Sequence, residues 1–254
     1  VLAKRGMGEA ATAYAQGGIA AVWQAPDSFD SHIQDTIRAG AGLNDHEAVE
    51  ICVRNGPAQI RRLTDLGVSF TRRAEVPGGY DLGREGGHSR RRVLHAGDIT
   101  GRALHGALLE AVQQHSNIRL FADHMAIDLV TAGKLGAGPE RVLGAYALDL
   151  STGCVGAFES HVTLLATGGA GKVYLSTSNP AVASGDGMAM AYRAGAAVAN
   201  MEFVQFHPTC LFHPEAKNYL ISEALRGEGA ILRLPDGSRF MDRYDERAEL
   251  APRD

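Results

Sequence analysis

The feature that most constrains the fold is the run VTLLAT at 162–167, which passes directly into Gly168-Gly169. An apolar, β-branched run of this length predicts a buried strand. Two glycines at its end let the backbone turn sharply and lie close to a ligand, at the sheet edge where open α/β folds bind nucleotides. A helix is expected next, from about Gly187 to Gly195. The chain has 254 residues, 45% of them hydrophobic, enough for one large or two ordinary domains. Its 31 glycines imply many tight turns and close backbone approaches.

Other elements follow from periodicity. Asp45 is a natural N-cap for a helix reaching Gly67, with Gly56-Pro57 expected to interrupt it. Thr100 is placed to cap a second helix that ends near His115. Apolar segments at 118–122, 125–130 and 142–148 read as strands, and glycine and proline between the last two predict an antiparallel pair. Val1 to Lys4 resembles the second half of a strand. A composition shift near Asn200 suggests a boundary.

Charge excludes some functions. Lys and Arg number 25 against 29 Asp and Glu, a net charge of -4, which argues against a general nucleic-acid binder. The basic run REGGHSRRR at 84–92 is therefore local, its single acid Glu85 set among arginines. Cys52, Cys154 and Cys210 have no zinc spacing and read as reduced thiols of a cytoplasmic protein. No metal site is expected. No apolar run approaches the ~18 residues of a membrane span.

Each chemistry-bearing segment has a plain reading beside a functional one. TAYAQGGIAAV (12–22) is a tight turn, or a loop lying against a planar cofactor. SGDG (184–187) puts Asp186 before a helix, as a cap or as a grip on a ligand. FHPT (206–209) directs the His207 imidazole, because Pro208 restricts the backbone on either side. ISEALRGEGA (221–230) adds Ser222, Glu223, Arg226 and Glu228, and APRD closes the chain with Arg253 and Asp254.

AQGGIAA, ATGG, SGDG, FHPT, EALRGEG and APRD, in this order, resemble the flavoprotein family of succinate dehydrogenase, fumarate reductase and L-aspartate oxidase. The segment REGGHSRRRVLHAGDITGR is most similar to the aspartate oxidase branch. The resemblance implies an α/β fold, an FAD-binding Rossmann-like domain over 1–200, and the start of an inserted α+β capping domain over 201–254. It also implies that the strand–GxGxxG–helix opening lies upstream of Val1, so that these residues alone would be inactive and hold FAD poorly.

By the same resemblance, Lys4, Ala11, Thr12, Ala13, Tyr14, Ala15, Gln16, Gly17, Gly18, Thr167, Gly168 and Asp186 contact FAD. Dehydrogenase members carry a flavin-linked histidine where this chain has Ala11, so the cofactor is expected to be non-covalent. His207, Ser222 and Arg253 match carboxylate-binding positions, and Arg253 the acid/base position. Glu85 is the acceptor suited to an amino group. The implied reaction is oxidation of L-aspartate to iminoaspartate, with oxygen or fumarate as electron acceptor. The product would pass to quinolinate synthase for NAD biosynthesis. A fumarate reductase-like enzyme, or a binding module without catalysis, stands as the alternative. No nucleic acid or membrane partner is expected.

Overall fold

Side-chain caps at Ser28 and Asp45 start two of the described helices. The computed structural model describes residues 1–75, 79–138, 140–207, 209–211, 213–215 and 219–251. These form two compact units interleaved along the chain. One contains Thr12–Leu108, Phe206–Leu211 and the chain from Tyr219; the other contains Val1–Ala11 and Leu109–Gln205.

In the unit containing Thr12–Leu108, α1 (Ala11–Tyr14) enters the AQGG loop. It is followed by β1 (Ile19–Ala20), α2 (Phe29–Ala39) and α3 (His46–Asp65). The strands β2 (Leu82–Gly83) and β3 (Val93–Leu94) complete an antiparallel sheet in the order β1-β3-β2. Asp45 caps α3 as expected, its Oδ1 accepting from the Ala48 N–H at 2.9 Å. The expected break at Gly56-Pro57 does not occur, and Pro57 lies inside a continuous helix. Burial of Val53 and Ile60 on either side holds the helix to the core through the missing hydrogen bond. Gly56 itself lies against Ala21, whose Cβ is 3.5 Å from where a Cβ on Gly56 would stand. The core here gathers Ala21, Ile60, Val68, Phe70, Leu82 and Leu94, with Tyr80 edge-on to Trp23 at 5.0 Å.

α4 (Thr100–Gln114) begins where the sequence placed it. Thr100 is the first helical residue, and its Oγ1 accepts from the Ala96 N–H at 3.0 Å. In the other unit, β4 (His124–Thr131), β5 (Val142–Asp149) and β6 (Val155–Glu159) form an antiparallel sheet in chain order. The expected β4–β5 pair is present. α5 (Asp186–Arg193) packs Met190 against Leu129 and Ala145. Leu2 makes a parallel bridge to Phe121, so the first residues do run as strand-like chain.

Two further expectations are corrected: of 118–122 only Phe121 pairs, in the bridge to Leu2, and the strand expected at 162–167 is absent. Residues 162–167 form no strand and are not buried, with Val162 85% and Leu164 87% exposed. A strand is made by neighbours that satisfy its backbone, and none among the described residues runs beside this segment.

Candidate flavin and dicarboxylate site

Two groups of candidate residues arise, one in each unit. In the unit with Val1–Ala11, α5 starts after Gly185, which adopts the left-handed conformation (φ 78°). The Gly185 N–H donates to the Gly169 carbonyl at 3.2 Å, tying the Gly168-Gly169 turn to the helix start. Gly187 allows the same approach, because a Cβ there would stand 1.9 Å from Thr167 Oγ1. Lys4 Nζ donates to Asp186 Oδ2 at 2.7 Å and also to Ser184 Oγ. Partial burial opposes the charge on Asp186, but the bonds from Lys4 and Ser184 outweigh it and hold the carboxyl below its ordinary value. Lys4, Thr167, Gly168 and Asp186 are thus brought together from residues 182 positions apart.

The second group lies in the other unit. Gly101 of α4 donates to the Ala15 carbonyl at 2.9 Å, and only a glycine fits, since a Cβ there would be 1.8 Å from the Thr12 carbonyl oxygen. Gln16 Nε2 donates to the Leu220 carbonyl at 2.6 Å, joining the AQGG loop to the segment before Ser222. A Cβ on Gly17 would come within 2.8 Å of Glu85 Oε1, so the Glu85 carboxylate rests on this loop. Gly86 lies near Glu223, and Gly227 lies against the Arg84 carbonyl, within α6 (Ala224–Gly227). Ser222 Oγ accepts from the Ala224 N–H at 3.2 Å, which leaves its own hydroxyl proton to donate.

His207 is half-buried and turns Nδ1 toward Thr209. Pro208, Arg253 and Asp254 lie outside the described residues. Arg226 leads to that end of the chain: it donates to the carbonyls of Glu249 and Ala251, each at 2.7 Å, and to Glu223 Oε1 at 3.0 Å. The sequence reading noted Glu223 and Arg226 without giving them a role. The i,i+3 spacing of an acid and an arginine on a helix start is the signal that predicts their pairing.

The arginines of 84–92 now separate. Arg92 is fully buried, with Nε and Nη2 donating to Asp27 at 2.9 and 2.7 Å and Nη1 to Asp35 at 2.7 Å. Arg91 makes a two-pronged bond to Glu228, both distances 2.8 Å, on the surface. These two hold the loop that carries Glu85. Among the described residues no group of three His, Cys, Asp or Glu is arranged to hold a metal.

The arrangement fits a flavin nucleotide. Gly168 has a left-handed backbone (φ 71°) with nothing within 4 Å of where a Cβ would stand, so the turn is open to close approach. Lys4, in the same unit, is held by Asp186, and in the other unit Ala13, Ala15, Gly17 and Gly18 are small residues suited to lie against a flat ring. Each unit by itself offers a surface suited to a flavin nucleotide, and residues 1–254 match the family described as FAD binding domain. The chain belongs to that family, with the fold of the succinate dehydrogenase and fumarate reductase flavoproteins.

The relatives narrow the class. L-aspartate oxidase 1 of Ralstonia nicotianae is 58% identical over 254 residues, covering 100% of this chain and 48% of its own length. L-aspartate oxidase 2-a, chloroplastic, of Nicotiana tabacum is 51% identical over 263 residues, covering 100% of this chain and 40% of its own. Among solved structures, an E. coli quinol fumarate reductase is 33% identical with a TM-score of 0.88, covering 99% of this chain and 43% of that one. The chain thus spans about half the length of the curated relatives it matches. No described helix is long and apolar enough to cross a membrane.

Proposed function

We propose that the full-length protein is an L-aspartate oxidase, which oxidises L-aspartate to iminoaspartate in the cytoplasm. The observation that carries the reading is the Glu85 carboxylate resting on Gly17, in the same compact unit as His207 and Ser222. L-aspartate has two carboxylates and one ammonium group. A donor set without an acceptor would suit a plain dicarboxylate; one acceptor added to it suits the amino acid.

On this reading His207, Ser222 and Arg253 hold the carboxylates, and Arg253 does so in bidentate fashion. Glu85 accepts from the ammonium group and so turns the substrate Cα toward the cofactor. The proton that leaves during oxidation is assigned to Arg253 by similarity to the family. Lys4, Ala11 to Gly18, Thr167, Gly168 and Asp186 hold FAD. Bound FAD supplies the acceptor for the hydride from Cα. The methyl group of Ala11 has no atom able to bond to a flavin, which supports non-covalent binding. Residues 1–200 belong to the cofactor domain and 201–254 open the capping domain. Electrons pass on to oxygen or fumarate, and iminoaspartate goes to quinolinate synthase for NAD biosynthesis.

A fumarate reductase-like activity is the second reading, favoured by the 0.88 TM-score to the E. coli enzyme. Assaying the purified full-length protein with L-aspartate and with succinate separates the two. Release of iminoaspartate is the expected result; turnover of succinate alone would overturn the assignment.

A further inference from the structure

Ser184 joins the two charged residues of the candidate cofactor cradle in the unit with Val1–Ala11. Lys4 Nζ donates to Asp186 Oδ2 at 2.7 Å and to Ser184 Oγ. The Ser184 hydroxyl has one proton and two acceptors in reach, Asp186 Oδ1 at 2.9 Å and the Val182 carbonyl at 3.3 Å. The shorter bond, made to an ion, takes it. Ser184 therefore accepts from the ammonium and donates to the carboxylate, and the three side chains close a ring. Among the described residues Lys4 spends two of its three N–H protons in this ring, which leaves the third for a ligand.

The ring joins two stretches of backbone that are each held in place. The Ala3 N–H donates to the Phe121 carbonyl at 2.9 Å and the His124 N–H to the Ala3 carbonyl at 2.8 Å, which fixes the chain beside Lys4. On the other side the Lys172 N–H donates to the Ala183 carbonyl at 2.9 Å, and the left-handed Gly185 turns the chain so that Ser184 and Asp186 both reach Lys4. Ser184 has little torsional freedom to lose on this fixed turn, whereas a long lysine side chain has much. The Lys4 and Asp186 side chains are 27% and 33% exposed, and an ion pair so open to water holds a lysine weakly on its own.

We propose that Ser184 is a positioning residue for the cofactor: its hydroxyl holds the Lys4 ammonium and the Asp186 carboxylate side by side, so that both meet FAD already oriented. The inference rests on the cofactor-binding role given to Lys4 and Asp186 above. Without the hydroxyl the direct Lys4–Asp186 bond remains, but the ammonium regains its swing and Asp186 Oδ1 loses its donor. Binding FAD must then immobilise the lysine as well, and that ordering is subtracted from the affinity.

The test uses the full-length protein stripped of flavin and titrated with FAD, binding being read from the change in flavin fluorescence. Ser184→Ala is expected to raise the Kd about fivefold, the size of one hydrogen bond. Ser184→Thr, which keeps the hydroxyl, should return it to within about twofold of wild type. Where Lys4→Met and Asp186→Ala together have removed both partners, Ser184→Ala should change the Kd by less than about twofold, because nothing is left for the hydroxyl to position. A loss of the same size with and without Lys4 and Asp186 would overturn the proposal, since Ser184 would then act through the turn or on FAD directly. A Ser184→Thr variant as weak as Ser184→Ala would overturn it too. If the wild type binds no FAD, the cofactor reading falls and the proposal with it. If the wild type binds FAD and Ser184→Ala binds it as tightly, the proposal alone falls.

Discussion

At the scale of single residues, Glu85 carries the most specific chemistry. Its carboxylate lies where a Cβ on Gly17 would intrude, at 2.8 Å. Glu85→Gln keeps the size and removes the charge. L-aspartate oxidation by the full-length protein is expected to fall by about a hundredfold in kcat/KM, as for a charged hydrogen-bond partner lost, while fumarate reduction changes little. Equal loss of both activities would make Glu85 structural. Gly17→Ala reaches the same carboxylate without altering it. The added methyl meets only the far end of a flexible side chain, so the fold should tolerate it. The KM for L-aspartate is expected to rise, measured by steady-state kinetics at saturating FAD. Gly18 is the contrast, because a Cβ there would stand 2.2 Å from the Leu94 carbonyl oxygen, which is backbone and cannot swing away.

At the scale of elements, the loop over 84–92 is held by a buried cation. Arg92 joins β3 to the approach and body of α2 through Asp27 and Asp35, and Ser89 adds two bonds to Asp35 at 2.8 and 2.7 Å. Burial favours a neutral Asp35, but the bonds from Ser89 and the Arg92 guanidinium prevail and keep its carboxyl below the ordinary value. Removing the cation strands two buried carboxylates. Arg92→Met is expected to cost about 3–5 kcal/mol of stability, read as a lower midpoint in urea unfolding. Arg91→Met breaks only an exposed pair with Glu228 and should cost about 1 kcal/mol or less. Two of the elements that escaped the sequence reading, α2 and β6, show why. α2 is short, and although Phe29, Ile33 and Ile37 recur every four residues, its most buried residues are the polar His32 and Asp35, so the tertiary structure sets which face turns inward. β6 is exposed along nearly its whole length and forms by pairing with β5, which local alternation does not encode.

At the scale of the whole molecule, stability should depend on pH through the same cluster. The His32 and His88 rings lie 5.9 Å apart between centroids, tilted by 40°, with Arg92 close enough to act on both. Burial first, then the Arg92 charge, pushes the His32 pKa down from 6.5 to about 4, with Asp27 and Asp35 opposing. His88 is lowered for the same two leading reasons. A neutral histidine in the fold costs nothing above pH 6.5, where the unfolded chain is neutral as well. Below that value the unfolded chain binds a proton that folded His32 refuses until about pH 4, so stability falls between 6.5 and 4. The loss from His32 reaches at most about 3 kcal/mol. Urea unfolding at pH 7 and pH 5 should show it, and His32→Asn should shrink the difference. An unchanged difference in the variant would exclude His32 as the source.

What the sequence determined by itself were the features written in neighbouring residues. The cap at Asp45, the helix from Thr100, the hairpin of β4 and β5 and the turn before α5 all follow from local spacing and backbone chemistry. The order of the motifs also set the family, because each of them fixes a short backbone shape. Only the tertiary structure decided which arginine of 84–92 is buried, that Pro57 lies inside an unbroken helix, and that 162–167 forms no strand here. It alone placed Glu85 on Gly17 and Ser184 between Lys4 and Asp186. Burial and hydrogen bonding depend on partners dozens of residues away, and no local pattern carries their positions.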